Sequence, residues 1–439
     1  MCTKFIKKIP SHFVVAGSAW GSRFISIFVQ FYSIKILLNY LGTNGYALFS
    51  LIASFSAWFL LVDIGMSTNL QNKISERKAY GKAYFDLVKR TGCFLIVALT
   101  LFVILLWIFG PYLSRILLVS FDFLSEKGKN NIFFISSLLF IGNGIGFFAY
   151  KIWYAEHKGW ISNILPAISS ICGLLFLILL RTEQFNISHL IIVCLLSFYG
   201  PAAFLGVLSF LTTFASSLHY KEKPLSHSIV QDIIRPSMGF FSFSVMAALV
   251  LQVDYIIMSH TLTGKDIVIY NVLSKIFGLI NFLYAALLQS VWPLCAEAKY
   301  KDDKSIYNQI KVKYIGFGAI LVFAISLFIY LARDLIILLL ARDAGISFSF
   351  TLIAFFAIYH MIRIWTDTYA MFLLSTGNMR FLYISVPCQA LLSGVLQWYG
   401  SVLFGLPGII LGLIMSYILT VSWILPYSFN KNVQGRLCR

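Results

Sequence analysis

Twelve apolar segments dominate this chain, and each is long enough to cross a membrane. A helix rises about 1.5 Å per residue and the hydrocarbon core of a bilayer is about 30 Å thick, so about 20 apolar residues suffice. The predicted spans are residues 13–37, 45–66, 91–111, 132–154, 161–180, 189–214, 237–260, 268–293, 314–332, 348–373, 382–403 and 407–427. The sequence therefore predicts an all-α, polytopic membrane protein with about twelve transmembrane helices.

The composition narrows the function classes. Of the 439 residues, 59% are hydrophobic and only 12% are charged, whereas a soluble domain carries about 25% charged residues. Because the loops are short, we predict neither a catalytic domain nor a nucleotide-binding loop, and thus no enzyme. The seven cysteines and seven histidines are dispersed, which predicts free thiols, no metal site and no cofactor.

The distribution of basic residues predicts the orientation of the chain. One set of loops, including both ends, carries 22 Lys and Arg, the opposite set carries 7, and five lie within the spans. Short basic loops stay in the cytoplasm, so both termini are predicted to be cytoplasmic. The net charge of +17 is then a topology signal that also meets anionic membrane lipid, and nucleic-acid binding is not expected.

The basic residues inside the spans are candidates for substrate binding. A charge at a helix centre costs about 2.5–3.5 kcal/mol when it faces lipid, so such groups are expected to face a protein interior or a water-filled cavity. At helical spacing Arg23 shares a face with Gln30, and Lys275 shares one with Asn271. The predicted cavity residues are Arg23, Gln30, Asn271, Lys275 and Arg363.

Acidic residues and a histidine accompany these basic groups. Asp367 lies four residues after Arg363 and His360 three before it, so the three are predicted to stack on one helix face. The pair could hide its own charge, or Asp367 could steady Arg363 at the cavity. Asp254 could form a latch or a proton-sensitive gate with Lys275. Asp254, Asp367 and His360 are therefore the predicted residues for proton or ion coupling or for gating.

Asp63 and Lys151 are predicted to have a structural role instead. Asp63 lies near the cytoplasmic end of the second span and Lys151 near the inner end of the fourth. Asp63 could cap a polar turn or form an ion pair with Lys151. Either arrangement satisfies a charge close to the membrane surface without a ligand.

A faint internal repeat indicates two related halves. LGTNGYALFSLI (41–52) and LTGKDIVIYNVL (262–273) each join two spans, at an offset of 221 residues. The predicted domains are an N-terminal six-helix bundle (1–215), a cytoplasmic linker (216–236) and a C-terminal six-helix bundle (237–439). Transporters with such repeats place their substrate path between the halves, so two pseudo-symmetric bundles around a central cavity are predicted.

Two stretches resemble the polysaccharide exporters of the multidrug/oligosaccharidyl-lipid/polysaccharide (MOP) superfamily, and most of all the O-antigen (Wzx-type) flippases. The first stretch, LLNYLGTNGYALFSLIASFSAWFLLVDIGMSTNLQNKISERKAYGK (37–82), looks like the family's turn, second helix and Asp-Gly exit. The second, VDYIIMSHTLTGKDIVIYNVLSKIFGL (253–279), is similar to its seventh-helix Asp with a following turn and Tyr. The twelve-helix plan covers nearly the whole chain.

The resemblance implies a transporter in the bacterial inner membrane. Its substrate would be an undecaprenyl-diphosphate-linked oligosaccharide, moved from the cytoplasmic to the periplasmic leaflet by alternating access. A glycan polymerase and other assembly proteins are the further partners that it implies. A multidrug or organic-cation antiporter of the same superfamily is the alternative, but carboxylates should then dominate the cavity.

Overall fold

The structure is a computed structural model that describes residues 11–181, 185–220, 233–301, 304–341, 346–375 and 381–434. Within these residues the secondary structure is helical, with no strand. The predicted all-α class is therefore confirmed. The long apolar helices make the chain a multi-pass membrane protein.

Six α-helices lie before residue 220: α1 (Ser11–Phe59), α2 (Met66–Ala79), α3 (Phe85–Leu117), α4 (Glu126–Ala155), α5 (Gly159–Leu179) and α6 (Ile187–Leu218). A single turn of 3₁₀-helix, Leu60–Asp63, follows α1. Seven more helices are described after residue 232: α7 (Arg235–Thr261), α8 (Gly264–Lys301), α9 (Lys304–Ala341), α10 (Phe350–Ser375), α11 (Leu382–Phe404), α12 (Leu406–Leu419) and α13 (Val421–Gln434).

These helices accommodate all twelve predicted spans. The first two spans both begin in α1, which consists of two helices that meet at Gly42 (φ 65°, ψ −177°), where the backbone is not helical. This break lies between the two predicted spans, at the turn that the sequence predicts. A positive φ is easy for glycine because it has no Cβ. The last span is divided between α12 and α13. By a strict test of length and hydropathy, eight described segments qualify as spans, and α10 is not among them.

The chain forms two compact units, Met1–Val245 and Met246–Arg439. The boundary between these units falls inside α7. Residues 221–232 of the predicted linker lie outside the described residues. The predicted domain limits of 1–215 and 237–439 therefore stay a prediction.

In the N-terminal unit, α4 and α6 cross where both helices carry glycine. A Cβ atom placed on Gly146 would lie 2.7 Å from the Cα of Gly206, which is too close for two carbon atoms. Small residues let the backbones of membrane helices approach this closely, and the contact replaces side-chain packing with backbone packing.

A buried apolar cluster joins four helices at one end of this unit. It includes Leu70 and Ile74 of α2, Val88 of α3, Phe148 of α4 and Phe210 of α6, each at most 2% exposed. This core fixes the end of α2, the start of α3 and the ends of α4 and α6 relative to one another.

In the C-terminal unit, α7 and α8 form an antiparallel hairpin. Thr263 and Asp266 close its turn reciprocally: the Thr263 amide donates to Asp266 Oδ2 at 3.2 Å, and the Asp266 amide donates to the Thr263 hydroxyl oxygen at 3.4 Å. This is the capping box expected at a helix start. It sets the register in which α7 faces α8.

Candidate substrate site

The candidate site of the C-terminal unit is built on α10. Its sequence has neither proline nor glycine from residue 350 to 375, so the helix is unbroken. The spacing of four residues places Arg363 Nη2 3.8 Å from Asp367 Oδ2, with the side chains 20% and 39% exposed. Because a charged hydrogen bond is about 2.7–2.9 Å long, this is a loose ion pair.

The Arg363 side chain has a second neighbour and an unused donor. Its guanidinium carbon lies 5.9 Å from the centre of the Tyr359 ring, within the range of a cation–π contact. Its Nε atom is buried and has no hydrogen-bond partner among the described residues. The helix therefore does not fully satisfy this guanidinium.

His360 lies in the packing of α10 against α8. Its side chain is 3% exposed. Its ring stacks on Phe277 with centres 5.3 Å apart, and its Nδ1 atom is 3.2 Å from Asn281 Oδ1. His360 therefore contacts the neighbouring helix, and its predicted stacking with Arg363 and Asp367 on one face of α10 stays a prediction.

Asp254 on α7 is hydrogen-bonded to α8. The Tyr270 hydroxyl donates to its Oδ2 atom, and the Tyr255 amide donates to its Oδ1 atom at 2.8 Å. Among the described residues it makes no ion pair with Lys275. The predicted latch between Asp254 and Lys275 is thus absent from this conformation, in which the Asp254 carboxylate is hydrogen-bonded to Tyr270 instead.

Asn271 packs between the same two helices, one turn before the half-buried Lys275. Its amide donates to the Tyr255 hydroxyl at 2.7 Å, and the residue is 6% exposed. The prediction that Asn271 lines an open cavity is not met in this conformation, because its side chain is used in helix packing.

In the N-terminal unit, Arg23 and Gln30 are both exposed on α1. Arg23 is within electrostatic range of Tyr154 on α4. The Tyr154 hydroxyl donates to Asn163 Oδ1 at 2.5 Å, and Asn163 Nδ2 donates to the Ser18 hydroxyl at 3.1 Å. Sequence reasoning missed this polar set, since only the fold brings α1, α4 and α5 together.

Arg23 belongs to one unit, whereas Lys275 and Arg363 belong to the other. Their convergence on one cavity therefore stays a prediction.

Asp63 accepts two backbone hydrogen bonds at the break before α2. They come from Gly65 N at 2.9 Å and Ser67 N at 3.3 Å. Lys151 is within electrostatic range of the same carboxylate. Both contacts are of the kind expected for a structural charge.

Two tyrosines that the sequence analysis did not select belong to the surroundings of Arg363. Tyr359 and Tyr417 meet edge to face with ring centres 5.6 Å apart, and both are within electrostatic range of Arg363. The spacing of four residues between Tyr359 and Arg363 could have revealed the first contact. Nothing local indicates Tyr417. In the described chain, no group of three or more His, Cys, Asp or Glu side chains could hold a metal ion.

Comparison with known proteins places these features in a family. No family model matches the chain. A protein of Yersinia pseudotuberculosis that carries the provisional name O-antigen export protein is 52% identical over 426 residues, which is 97% of each chain. The chain belongs to the O-antigen exporter family. An O-antigen transporter of Salmonella typhimurium, also provisionally named, is 39% identical over 96% of this chain and 97% of its own length.

Solved structures agree with this family in fold. The lipid II flippase MurJ in an inward closed conformation has a TM-score of 0.69 and 17% identity, over 95% of this exporter and 87% of MurJ. An inward-facing multidrug resistance MATE transporter of the MOP superfamily has a TM-score of 0.67 and 11% identity, over 93% and 95% of the two chains. This exporter therefore has the MOP transporter fold, and its relatives are transporters and not enzymes.

Proposed function

We propose that this exporter is a flippase for an undecaprenyl-diphosphate-linked oligosaccharide. It moves the O-antigen unit, or a similar surface-glycan unit, from the cytoplasmic to the periplasmic leaflet of the bacterial inner membrane by alternating access. Both termini are cytoplasmic. The observation that carries this proposal is the 52% identity to an O-antigen export protein along 97% of the chain.

The charge of the candidate site supports an anionic cargo. A diphosphate needs cationic hydrogen-bond donors, and a planar guanidinium can donate to two of its oxygens at once. Arg363 is held 3.8 Å from Asp367 and keeps a buried Nε donor without a partner in the described chain. The side chain as a whole is 20% exposed, so a ligand can approach the guanidinium although Nε itself is buried.

An organic-cation antiporter would need accessible carboxylates that have no cationic neighbour. Asp367 is 39% exposed, but it lies 3.8 Å from Arg363. Asp254 is buried and accepts a hydrogen bond from the Tyr270 hydroxyl, so its carboxylate interacts with the protein and is not exposed to a cationic ligand. We assign Arg23, Gln30, Lys275 and Arg363 to substrate binding. Asp254, Asp367 and His360 remain our candidates for proton coupling or gating.

Replacement of Arg363 tests this function. In a strain that lacks the exporter gene, the Arg363→Ala protein should restore less than a tenth of the surface glycan that the wild-type protein restores. Lipid-linked oligosaccharide should accumulate. The matched control is Arg115→Ala, because Arg115 is 70% exposed and pairs with Glu126. Normal surface glycan in the strain without the gene would refute the flippase, and normal glycan with Arg363→Ala would refute the role of Arg363.

A further inference from the structure

The N-terminal unit contains a cavity of about 550 Å³, and none of the candidate site residues described above lines it. Its walls come from the end of α2, the start of α3 and the ends of α4 and α6. Each of these helix ends is predicted from the basic loops to face the cytoplasm. The volume lies in the range of about 300–1,000 Å³ that is typical of small-ligand sites.

One wall of this cavity is aromatic. The Phe85 and Tyr220 rings lie parallel, with centres 3.8 Å apart and planes 3° apart. Tyr84 stacks on Phe85 at 4.7 Å, and Trp153 completes the wall. Tyrosine and tryptophan combine an apolar ring with a polar group. Such a wall suits a sugar ring, which has an apolar face and a polar edge.

A second wall is cationic. Both carboxylate oxygens of Glu156 already accept hydrogen bonds, one from the Tyr84 hydroxyl at 2.8 Å and one from Lys158 Nζ at 3.0 Å. Lys78 Nζ donates to the Ala155 carbonyl at 3.3 Å. A lysine ammonium has three donors, so Lys78 keeps two for a ligand. The two lysines and one glutamate leave the cavity with an excess positive charge, which favours an anion.

The third wall, on α6, offers hydroxyl oxygens. The Thr212 hydroxyl donates to the Leu208 carbonyl at 2.9 Å, and the Ser216 hydroxyl donates to the Thr212 carbonyl at 2.7 Å. Because their hydrogens are used in the helix, these oxygens are directed to act as acceptors. Sugar hydroxyl groups are the matching donors.

We infer that this cavity binds a phosphorylated sugar on the cytoplasmic side of the membrane. The aromatic wall holds the sugar ring, Lys78 and Lys158 hold the phosphate, and the oxygens of α6 accept the sugar hydroxyls. The buried core beneath it, with Val88 and Ile152 each 2% exposed, keeps the walls in place without a ligand. The identity of this phosphorylated sugar as the head of the lipid-linked glycan before translocation rests on the proposed function. The binding of a phosphorylated sugar does not.

The test measures binding to the purified full-length exporter in lipid nanodiscs. The probes are glucose 1-phosphate, methyl glucoside and inorganic phosphate, and the binding of each is measured by isothermal titration calorimetry. We expect glucose 1-phosphate to bind at least tenfold more tightly than either of the other two. Lys78→Ala and Tyr220→Ala should each weaken this binding at least tenfold, whereas Tyr220→Phe, which keeps the stacked ring, should change it less than threefold.

Lys82→Ala is the control for loss of a nearby surface charge, since Lys82 contacts the Tyr80 ring and is not part of the cavity wall. Thermal unfolding of each variant confirms that it is folded. The inference is overturned when glucose 1-phosphate fails to bind the wild-type protein, or when folded Lys78→Ala and Tyr220→Ala proteins bind it as the wild type does. Equal binding of inorganic phosphate would also overturn it, because the aromatic wall would then be unused.

A second arm separates the lipid-linked source from free sugar phosphate. Lipid-linked oligosaccharide extracted from a strain that lacks the exporter should compete with glucose 1-phosphate for the wild-type protein. Absence of competition would overturn the assignment to the glycan head. This arm is independent of transport, so a strain without the exporter gene that keeps its surface glycan refutes the proposed function while leaving the sugar-phosphate site intact.

Discussion

Residue environments separate the charges of this exporter into two kinds. Asp254 is buried and receives hydrogen bonds from Tyr270 and the Tyr255 amide, so its carboxyl group is satisfied in this conformation. Arg363 has one carboxylate at 3.8 Å and one unsatisfied buried nitrogen in the described structure. The sequence predicts which charges are intramembrane, but the tyrosine that satisfies Asp254 lies on another helix and could not be paired with it from spacing alone.

Tyr270→Phe tests the hydrogen bond that satisfies Asp254 in this conformation. Loss of the hydroxyl leaves one oxygen of a buried carboxyl group without its side-chain partner, and such a loss costs about 1–3 kcal/mol. We expect a lower midpoint of thermal unfolding in detergent. Tyr383→Phe is the matched control, because Tyr383 is 55% exposed and should unfold like the wild type. An unchanged midpoint for Tyr270→Phe would show that the carboxyl group finds another partner.

Helix elements of this chain owe their packing to small residues as much as to apolar ones. The glycines of α4 are visible in the sequence, and close packing is the ordinary reason for glycine in a membrane helix. The sequence does not show which helix is the partner. The structure shows that it is α6, where Gly146 approaches Gly206. The break between the two helices of α1 is different, because Gly42 and the polar residues after it indicate it in the sequence, and the backbone at Gly42 is not helical.

Gly146→Ala tests the contact between α4 and α6. The added methyl group would lie 2.7 Å from the Gly206 backbone, so the two helices must move apart and lose packing. We expect a lower unfolding midpoint and a smaller amount of protein in the membrane. Gly200→Ala in α6 is the control, because a Cβ atom there meets nothing within 4 Å and alanine favours the helix by about 1 kcal/mol. Equal behaviour of the two variants would contradict the close contact.

At the scale of the whole molecule, hydropathy alone predicts the number of spans and the all-α class. The bilayer demands that backbone groups be satisfied within each crossing segment, so long apolar runs have few alternatives to helix. The arrangement of helices is a tertiary property, and hydropathy carries little information about it. The cavity at the ends of α2, α3, α4 and α6 was for this reason not predicted, although its lysines and aromatic residues are plain in the sequence.

The orientation of the exporter is the whole-molecule prediction that connects this cavity to a cytoplasmic ligand. Single cysteines introduced as Lys82→Cys and Lys127→Cys, in a protein whose own cysteines are replaced by alanine or serine, report the two sides. Both positions are exposed. In intact spheroplasts a membrane-impermeant maleimide should label Lys127→Cys, which lies in the first turn of α4, on the side of the sparsely charged loops. The same maleimide should label Lys82→Cys only after the membrane is permeabilised, because the basic loops are retained in the cytoplasm. The reverse labelling pattern would place the cavity on the periplasmic side, where its ligand would be a translocated glycan and not one awaiting translocation.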